Sequence, residues 1–453
     1  MKKSIFGIFL LLLMANVLSA QNLLTLDECI QIALDNNLDI KRSRNNALAA
    51  KASLSQSKMN FLPSLVAGAS HNWNEGLQFD NTSGSLVNTT TLSGRGFLSA
   101  GVTLFDGFSN VLAVQRNKIL YEASEEAIKS NIQSTEASIV FSFLQIIINE
   151  ENLKIAEVTS SLLKEQLDRE EKREKAGVGN MEQVYNFRSQ VAQQDLNIVN
   201  LSNSLESNKL TLIQLLFLDP SDDYQFEGIP AEDAELTASL EEYNQIYDRS
   251  MDFSPAVKSA ELNLAASEKD FKIAQFTWMP SLSLNGSYGT GWSSNVKSRN
   301  NAGNLILPVQ VLEVGTQFDQ NRSKSAGINL NIPLFTRFQN RNQIQQSRIQ
   351  VLNSELGLEQ AKNNLTNLVQ QAYLNLVNSK SAFAAAKESL LNLNMAFEFA
   401  KSRYENGTID FVTYLQSLNG KNTGELQLVQ TKYTILFRQL ILDIYTGELN
   451  QGN

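Results

Sequence analysis

The chain has 453 residues and a formal net charge of −9, or −11 once Lys2 and Lys3 are set aside, so its surface repels a phosphate backbone and nucleic acid is not expected as a partner. A single histidine (His71), a single cysteine (Cys29) and the lack of any G-x-x-x-x-G-K or G-x-G-x-x-G loop argue against an enzyme and against a cofactor, a metal centre or an intrachain disulfide. Only 7 prolines occur, and residues 64–219 and 334–453 have none; because proline lacks the N–H donor and clashes with the preceding helical turn, this favours very long helices.

Residues 1–20 run from Met-Lys-Lys through an apolar stretch, Ile5 to Met14, to Leu18-Ser19-Ala20. That order predicts a secretory signal peptide cleaved after Ala20. The stretch is shorter than the roughly 20 apolar residues that span a bilayer, and no later segment is long and apolar enough, so any membrane crossing must be made by strands.

Two related halves follow, 21–250 and 251–453. Phe61-Leu62-Pro63-Ser64-Leu65 returns as Trp278-Met279-Pro280-Ser281-Leu282, 217 residues on. Leu104-Phe105-Asp106-Gly107-Phe108 returns as Leu334-Phe335-Thr336-Arg337-Phe338, 230 residues on, as does Arg173 through Gly177 to Asn180 at Arg403 through Gly407 to Asp410. The 13-residue difference predicts a longer loop between the first two marks of the second half.

In chain order, each half opens on a short helical stretch, about 25–60 or 253–277. An alternating segment follows (Leu65, Ala67, Ala69; Leu282, Leu284, Gly286), then a polar loop such as Asn81 to Thr91, then a second alternating segment (Ala100, Val102, Leu104; Ile328, Leu330, Ile332). Period two with such turn chemistry predicts a β-hairpin, two strands per half.

After Phe108 and Phe338 the inward-facing spacing becomes three and four, the signature of a coiled coil; Leu365, Leu368, Ala372, Leu376, Ser379, Phe383, Ala386, Leu390, Leu393, Phe397, Ala400 and Tyr404 carry it without a break. A helix over 108–175 is about 100 Å long. Gly177 and Gly407 can take the left-handed conformation that ends these helices, and Asn180 and Asp410 can cap the return helices, which run to about Phe217 and Tyr445. The segment Leu218 to Ser250 reads as a connector with little regular structure.

Four strands leave two open edges, so several chains must pool strands into one closed barrel. Trp73, Trp278 and Trp292 fall in or beside the expected strands, where interfacial aromatics belong. His71 on a strand and Cys29 in an early helix call for no special chemistry, and the charged run Lys164 to Lys175 reads as a solvated helix face.

At this point the chain resembles the TolC-like outer-membrane efflux proteins. The resemblance spans nearly everything after the leader: Leu24-Thr25-Leu26-Asp27-Glu28-Cys29-Ile30-Gln31-Ile32-Ala33-Leu34, both Pro-Ser-Leu segments, Leu104-Phe105-Asp106-Gly107-Phe108 and both glycine tips. It implies a mostly α fold whose long helical hairpins form a periplasmic α-barrel. Four strands per chain then build a 12-stranded transmembrane β-barrel in a homotrimer seated in outer-membrane lipid.

It further implies an exit duct that receives solutes from an inner-membrane transporter through a periplasmic adaptor. The adaptor would meet the tips at Gly177, Val178, Asn180, Gly407, Thr408 and Asp410, and the charged run Lys164 to Lys175, just before the first tip, is a further candidate docking surface for it. Where some members of that family carry gating aspartates, this chain has Thr413 and Gln416, so rings of aspartate are not expected here. An exported structural or adhesive coiled coil with a soluble β head is the competing reading.

Overall fold

A computed structural model describes residues 22–80, 84–222, 224–228, 241–299, 303, 305–306 and 310–448. The expected leader, the centre of the first polar loop (81–83), Ile229-Pro230 and the tail beyond 448 lie outside the described residues. The chain divides into two compact units. One holds Met1–Asn46, Glu125–Ser259 and Glu359–Asn453; the other holds Ala47–Ser124 and Ala260–Leu358. Each draws on both halves of the sequence.

The elements run β1 (Asn22–Leu24), α1 (Leu26–Asn36), α2 (Leu38–Met59), β2 (Ser64–Asp80), β3 (Ser85–Asp106), α3 (Ser109–Lys175), α4 (Met181–Leu215), β4 (Tyr224–Phe226), α5 (Tyr243–Phe253), α6 (Pro255–Phe276), β5 (Ser281–Ser293), α7 (Val314–Gln320), β6 (Ser323–Asn331), α8 (Gln339–Glu405) and α9 (Phe411–Thr446). The two long helices have 67 residues each, about 100 Å. No described helix is long and apolar enough to cross a membrane.

Local chemistry sets the boundaries. Thr25 and Glu28 form a reciprocal capping box that starts α1 (Thr25 N to Glu28 Oε2 2.9 Å, Glu28 N to Thr25 Oγ1 3.2 Å). Asn37 separates α1 from α2, its Oδ1 accepting from Asp39 N and Ile40 N at 2.8 and 3.1 Å. Both crossings from strand to long helix use two successive left-handed residues: Gly107 (φ 66°) and Phe108 (φ 65°), then Arg337 (φ 50°) and Phe338 (φ 62°). The rings brace the joint edge to face, Phe105 on Phe108 at 5.2 Å and Phe335 on Phe338 at 5.8 Å.

In the first unit, the core gathers around the middle of α3. Ile139, Val140, Phe143, Leu144, Ile146 and Ile147 are buried, as are Cys29, Ala33 and Ile40 from α1 and α2, Leu212 and Leu216 at the end of α4, and Ile435, Leu442 and Ile444 of α9. Gln133 donates from Nε2 to the Ile444 carbonyl at 2.8 Å within this core. Burial, then the charge of Glu28, pushes the Cys29 thiol up to about 12, so it stays a protonated packing group.

The connector differs from its expectation. Strand β4 pairs in parallel with β1, and Phe226 is buried edge to face against Phe143 at 5.9 Å. Helix α5 begins at Tyr243, before the residue where the second half was expected to begin. Both elements owe their place to distant partners, which local turn chemistry does not reveal. The first polar loop is also shorter than expected: Ser85 to Thr91 continue β3, held by pairing with Asn74 to Asp80.

In the second unit, β2, β3, β5 and β6 form one antiparallel sheet in that order. The register shifts once, between Thr103 and Phe105. Arg116 and Asp270 join α3 to α6 at 2.6 Å, and the Asn117 amide donates to the Ser53 carbonyl of α2 at 3.2 Å. The longer loop of the second half contains α7, pinned to the end of β5 by fully buried Gln317, whose amide accepts from Ser293 N at 2.8 Å and donates to the Ser293 carbonyl at 3.1 Å.

In the first unit Arg249 of α5 grips two carboxylates, Glu241 at 2.6 Å and Glu448 at 2.7 Å, beside Asp443 of α9. Burial, then the charge of Glu448, pushes the Asp443 carboxyl up to about 6 against the pull of Arg249. A raised carboxyl disfavours the folded state once ionised, so this group's penalty sets in as pH rises from about 4 through 6. Asp443→Asn is expected to raise the melting temperature at pH 7.5 and leave it nearly unchanged at pH 4.5. Equal effects at the two pH values would refute the assignment.

Candidate functional site

Two regions of the molecule carry exposed features that the fold alone does not require: the tips of the helical hairpins, and the sheet.

Each tip is a Schellman turn. Gly177 (φ 75°) donates to Glu174 O at 2.9 Å and Val178 to Arg173 O at 3.0 Å; Gly407 (φ 70°) donates to Tyr404 O at 2.9 Å and Thr408 to Arg403 O at 2.8 Å. A Cβ at either glycine would meet no neighbour, so the positive φ alone selects glycine there. Asn180 Oδ1 accepts from Glu182 N at 2.9 Å, and Asp410 Oδ1 from Thr413 N at 2.8 Å, each capping its return helix. Hydrogen bonding from the Thr413 side chain, and then from its backbone N–H, holds the Asp410 carboxyl below the usual carboxylate range.

The tips are not copies. A Cβ at Gly179 would lie 2.4 Å from the backbone nitrogen of Glu174, whereas the equivalent position in the second half is Ile409, packed beside the apolar core of the hairpins. Val178 is left 71% exposed.

Just behind the tips, seven buried side chains form one cluster: Leu163, Phe187, Phe397, Tyr404, Phe411, Tyr414 and Leu418. Phe187 meets Phe411 edge to face at 4.5 Å, and Tyr404 stacks on Tyr414 at 4.9 Å. Burial pushes the Tyr414 phenol up to about 12. Sequence reading placed Tyr404 on the packed face but missed the aromatic concentration, which needs α4, α8 and α9 side by side.

The charged run Lys164 to Lys175 departs from a merely solvated face. Lys164 reaches Asp195 at 3.0 Å and Glu171 reaches Arg188 at 2.8 Å across the first hairpin, while Arg169 reaches Glu405 of α8 at 2.7 Å. Gln166 and Glu170, one turn apart, are 1% exposed on the inner face, and Glu170 accepts from the Tyr404 hydroxyl at 3.4 Å. Spacing of three and four carries Leu163, Gln166 and Glu170 inward together.

The sheet has two unlike faces. Direct pairing puts Leu65, Ala67, Ala69, His71 and Trp73 of β2 on the same face as Leu92, Gly94, Leu98, Ala100 and Val102 of β3, Leu284, Tyr288 and Trp292 of β5, and Ile328 and Leu330 of β6. This face is exposed: Leu65 is 67%, Ile328 67% and Leu330 61% accessible. The other face is mostly polar, carrying Ser64, Ser70, Asn72, Asn74, Thr91, Ser93, Ser99, Ser283, Asn285, Ser287, Ser325, Asn329 and Asn331, with Arg95 and the apolar Val66, Val87 and Phe97 among them.

Trp73 and Trp292 lie level with the end of β5, beyond which the β2–β3 hairpin continues, and Trp278 lies just before β5 at the opposite end. The Trp292 indole rests over Gly94 and reaches His71, ring centroids 5.6 Å apart; a Cβ at Gly94 would sit 2.3 Å from its Nε1. Glycine is thus required there by a neighbouring aromatic rather than by backbone conformation. Among the described residues no cluster of His, Cys, Asp and Glu could hold a metal ion.

A family model described as outer membrane efflux protein matches residues 29–216 and again 246–448. Protein CyaE of Bordetella pertussis is 23% identical over 347 residues, covering 75% of this chain and 66% of that protein, just under two thirds of its length. Among solved structures, CusC superimposes with a TM-score of 0.77 at 18% identity, over 93% of this chain and 91% of that one. VceC, an outer membrane protein of Vibrio cholerae, gives a TM-score of 0.75 at 15% identity, over 93% and 96%. At these identities the likeness is one of fold.

Gly94→Val is expected to destabilise the sheet by about 1–3 kcal/mol through overpacking against Trp292, read as a lower melting temperature of the purified protein in detergent. Adding Trp292→Ala to that variant should recover most of the loss. Failure of the second change to help would show that the indole is not what Gly94 accommodates.

Proposed function

The chain belongs to the outer membrane efflux protein family, and on that footing we propose that it is the outer-membrane exit duct of a tripartite efflux or type I secretion assembly. Solutes reach it from an inner-membrane pump through a periplasmic adaptor and leave to the outside. The observation that carries this reading is the sheet with one exposed apolar face and one polar face. Alternation of that kind suits strands with lipid on one side and a watery lumen on the other.

The dimensions agree. From Ser281 to Trp292 a strand covers about 36 Å, and at a tilt of about 40° it rises about 28 Å, close to the height of the apolar band of an outer-membrane barrel. Trp278 then belongs to one aromatic girdle, and Trp73 and Trp292 to the other. Phe61, Phe108, Phe335 and Phe338, all exposed, join the Trp278 end.

A homotrimer supplies twelve strands, an even number that closes without an edge. The helical hairpins lie in the periplasm, where the tips carrying Gly177, Val178, Asn180, Gly407, Thr408 and Asp410 meet the adaptor. Support for the tips comes from their form: tight turns, with Val178 projecting into solvent and a rigid aromatic cluster behind them. With Asp410 engaged as a helix cap and Thr413 and Gln416 uncharged, a ring of free aspartates is not part of this entrance.

The test is an in-cell photocrosslink from residues introduced at Val178 and Thr408, the captured partner being identified by mass spectrometry. A periplasmic adaptor is expected; capture of the chain alone, or of nothing, from a well-expressed protein would favour an exported structural coiled coil. In parallel, Gly177→Val and Gly407→Val force a β-branched residue to positive φ at a cost of about 1–2 kcal/mol each. Transport should fall while the oligomer still assembles, and wild-type efflux in both variants would remove the tips from the mechanism.

A further inference from the structure

The strand registers carry information about the two edges that this chain leaves open. Paired residue numbers sum to 165 between β2 and β3, to 386 between β3 and β5 above the register shift, and to 612 between β5 and β6. The hairpin sums, 165 and 612, differ by 447. The sequence repeat accounts for this difference in full, since β2 maps onto β5 by 217 residues and β3 onto β6 by 230. The two hairpins are therefore equivalent in register as well as in sequence.

If the pairing of β3 with β5 within the chain is repeated between β6 of one copy and β2 of the next, the partner numbers at that seam are fixed. Mapping 386 through the two offsets gives a sum of 399. The sum is odd, and this meets an independent requirement: even-numbered β6 residues and odd-numbered β2 residues are the ones on the apolar face, so only odd sums join like faces. In this register Ala326 faces Trp73, Ile328 faces His71 and Leu330 faces Ala69.

It also sets Lys324 opposite Glu75. These are the only charged residues of β6 and β2 on the apolar face, they lie on the two unpaired edges, both are exposed, and neither has an ion-pair partner among the described residues. Lys324 lies 6.0 Å from the Tyr288 ring, its one contact of that kind. A charge on a lipid-facing strand is costly unless it is near the interface or paired. Opposite charges directly across an antiparallel pair are favourable and define its register.

We propose that β6 of one copy pairs with β2 of the next with partner numbers summing to 399, and that the Lys324–Glu75 ion pair between copies fixes this register. The proposal rests on the barrel reading given above and names the residues that close it.

The test uses the full-length protein assembled in outer membranes. Cys29 is fully buried, so introduced thiols are the accessible ones. Ala326→Cys with Trp73→Cys, and Ser325→Cys with Asn74→Cys, probe the matched register; Ala326→Cys with His71→Cys or with Glu75→Cys probes a shift of two either way. Linked oligomers from a matched pair and not from the shifted pairs are expected. Linkage only from shifted pairs would overturn the register and leave the barrel intact.

An oligomer with no linkage from any of these pairs would overturn the β6–β2 seam, whereas a chain that stays monomeric in the membrane would overturn the barrel reading as well. Charge reversal gives a second readout that needs no introduced thiol. Glu75→Lys or Lys324→Glu alone should lower the temperature at which the oligomer dissociates in detergent, and the double reversal should restore most of the loss. Additive losses in the double variant would refute the ion pair.

Discussion

Everything in this chain answers to a deficit of hydrogen bonds. A four-stranded sheet has two outer strands with one rank of N–H and C=O groups unpaired, and here the sheet also turns a dry face outward. In water, exposed apolar rows of this extent are a liability; in hydrocarbon, the unpaired edges are. One arrangement relieves both, a ring of strands closed by further copies. The duplicated hairpin, the alternation of side chains along the strands and the matching registers are what the proposed ring needs in order to tile itself.

The helical parts solve a different problem, that of staying helical over 67 residues without a break. Absence of proline permits this, and packing at spacings of three and four makes it stable. Behind the tips the hairpins are joined by aromatic stacking, as with Tyr404 on Tyr414, and by ion pairs between helices, as with Arg169 and Glu405. A tip whose own turn is tight and whose support is stiff presents a defined surface to whatever docks there.

How much of this was legible in the sequence depended on the range of the interaction. Helix ends and strand faces were readable because Gly177, Asn180, Leu65 and Ile328 report chemistry that acts within a few residues. Three-residue β4 was not, since it exists only because β1 lies beside it, and neither was the strand character of Ser85 to Thr91, which β2 imposes. Burial of Gln166 and Glu170 inside a charged run was hidden because a charge count does not say which face turns inward. The capping box of Thr25 and Glu28, by contrast, is legible from its spacing alone. Gly179 and Gly94 were invisible for another reason: what excludes a side chain there is a contact, not a backbone angle.

The left-handed joints at the start of the two long helices have drifted apart in a way that matters for the gene. At Gly107 a Cβ would meet Cβ of Met279 at 2.7 Å and the Phe276 carbonyl at 2.9 Å, whereas its counterpart carries the long side chain of Arg337 in the same backbone conformation. The halves are thus homologous but no longer interchangeable: a recombination that copied the second joint over the first would drive an arginine into α6 and the turn that follows it. Each copy has become committed to its own place in the chain, and a duplication that began as two equal parts is now held in a fixed order.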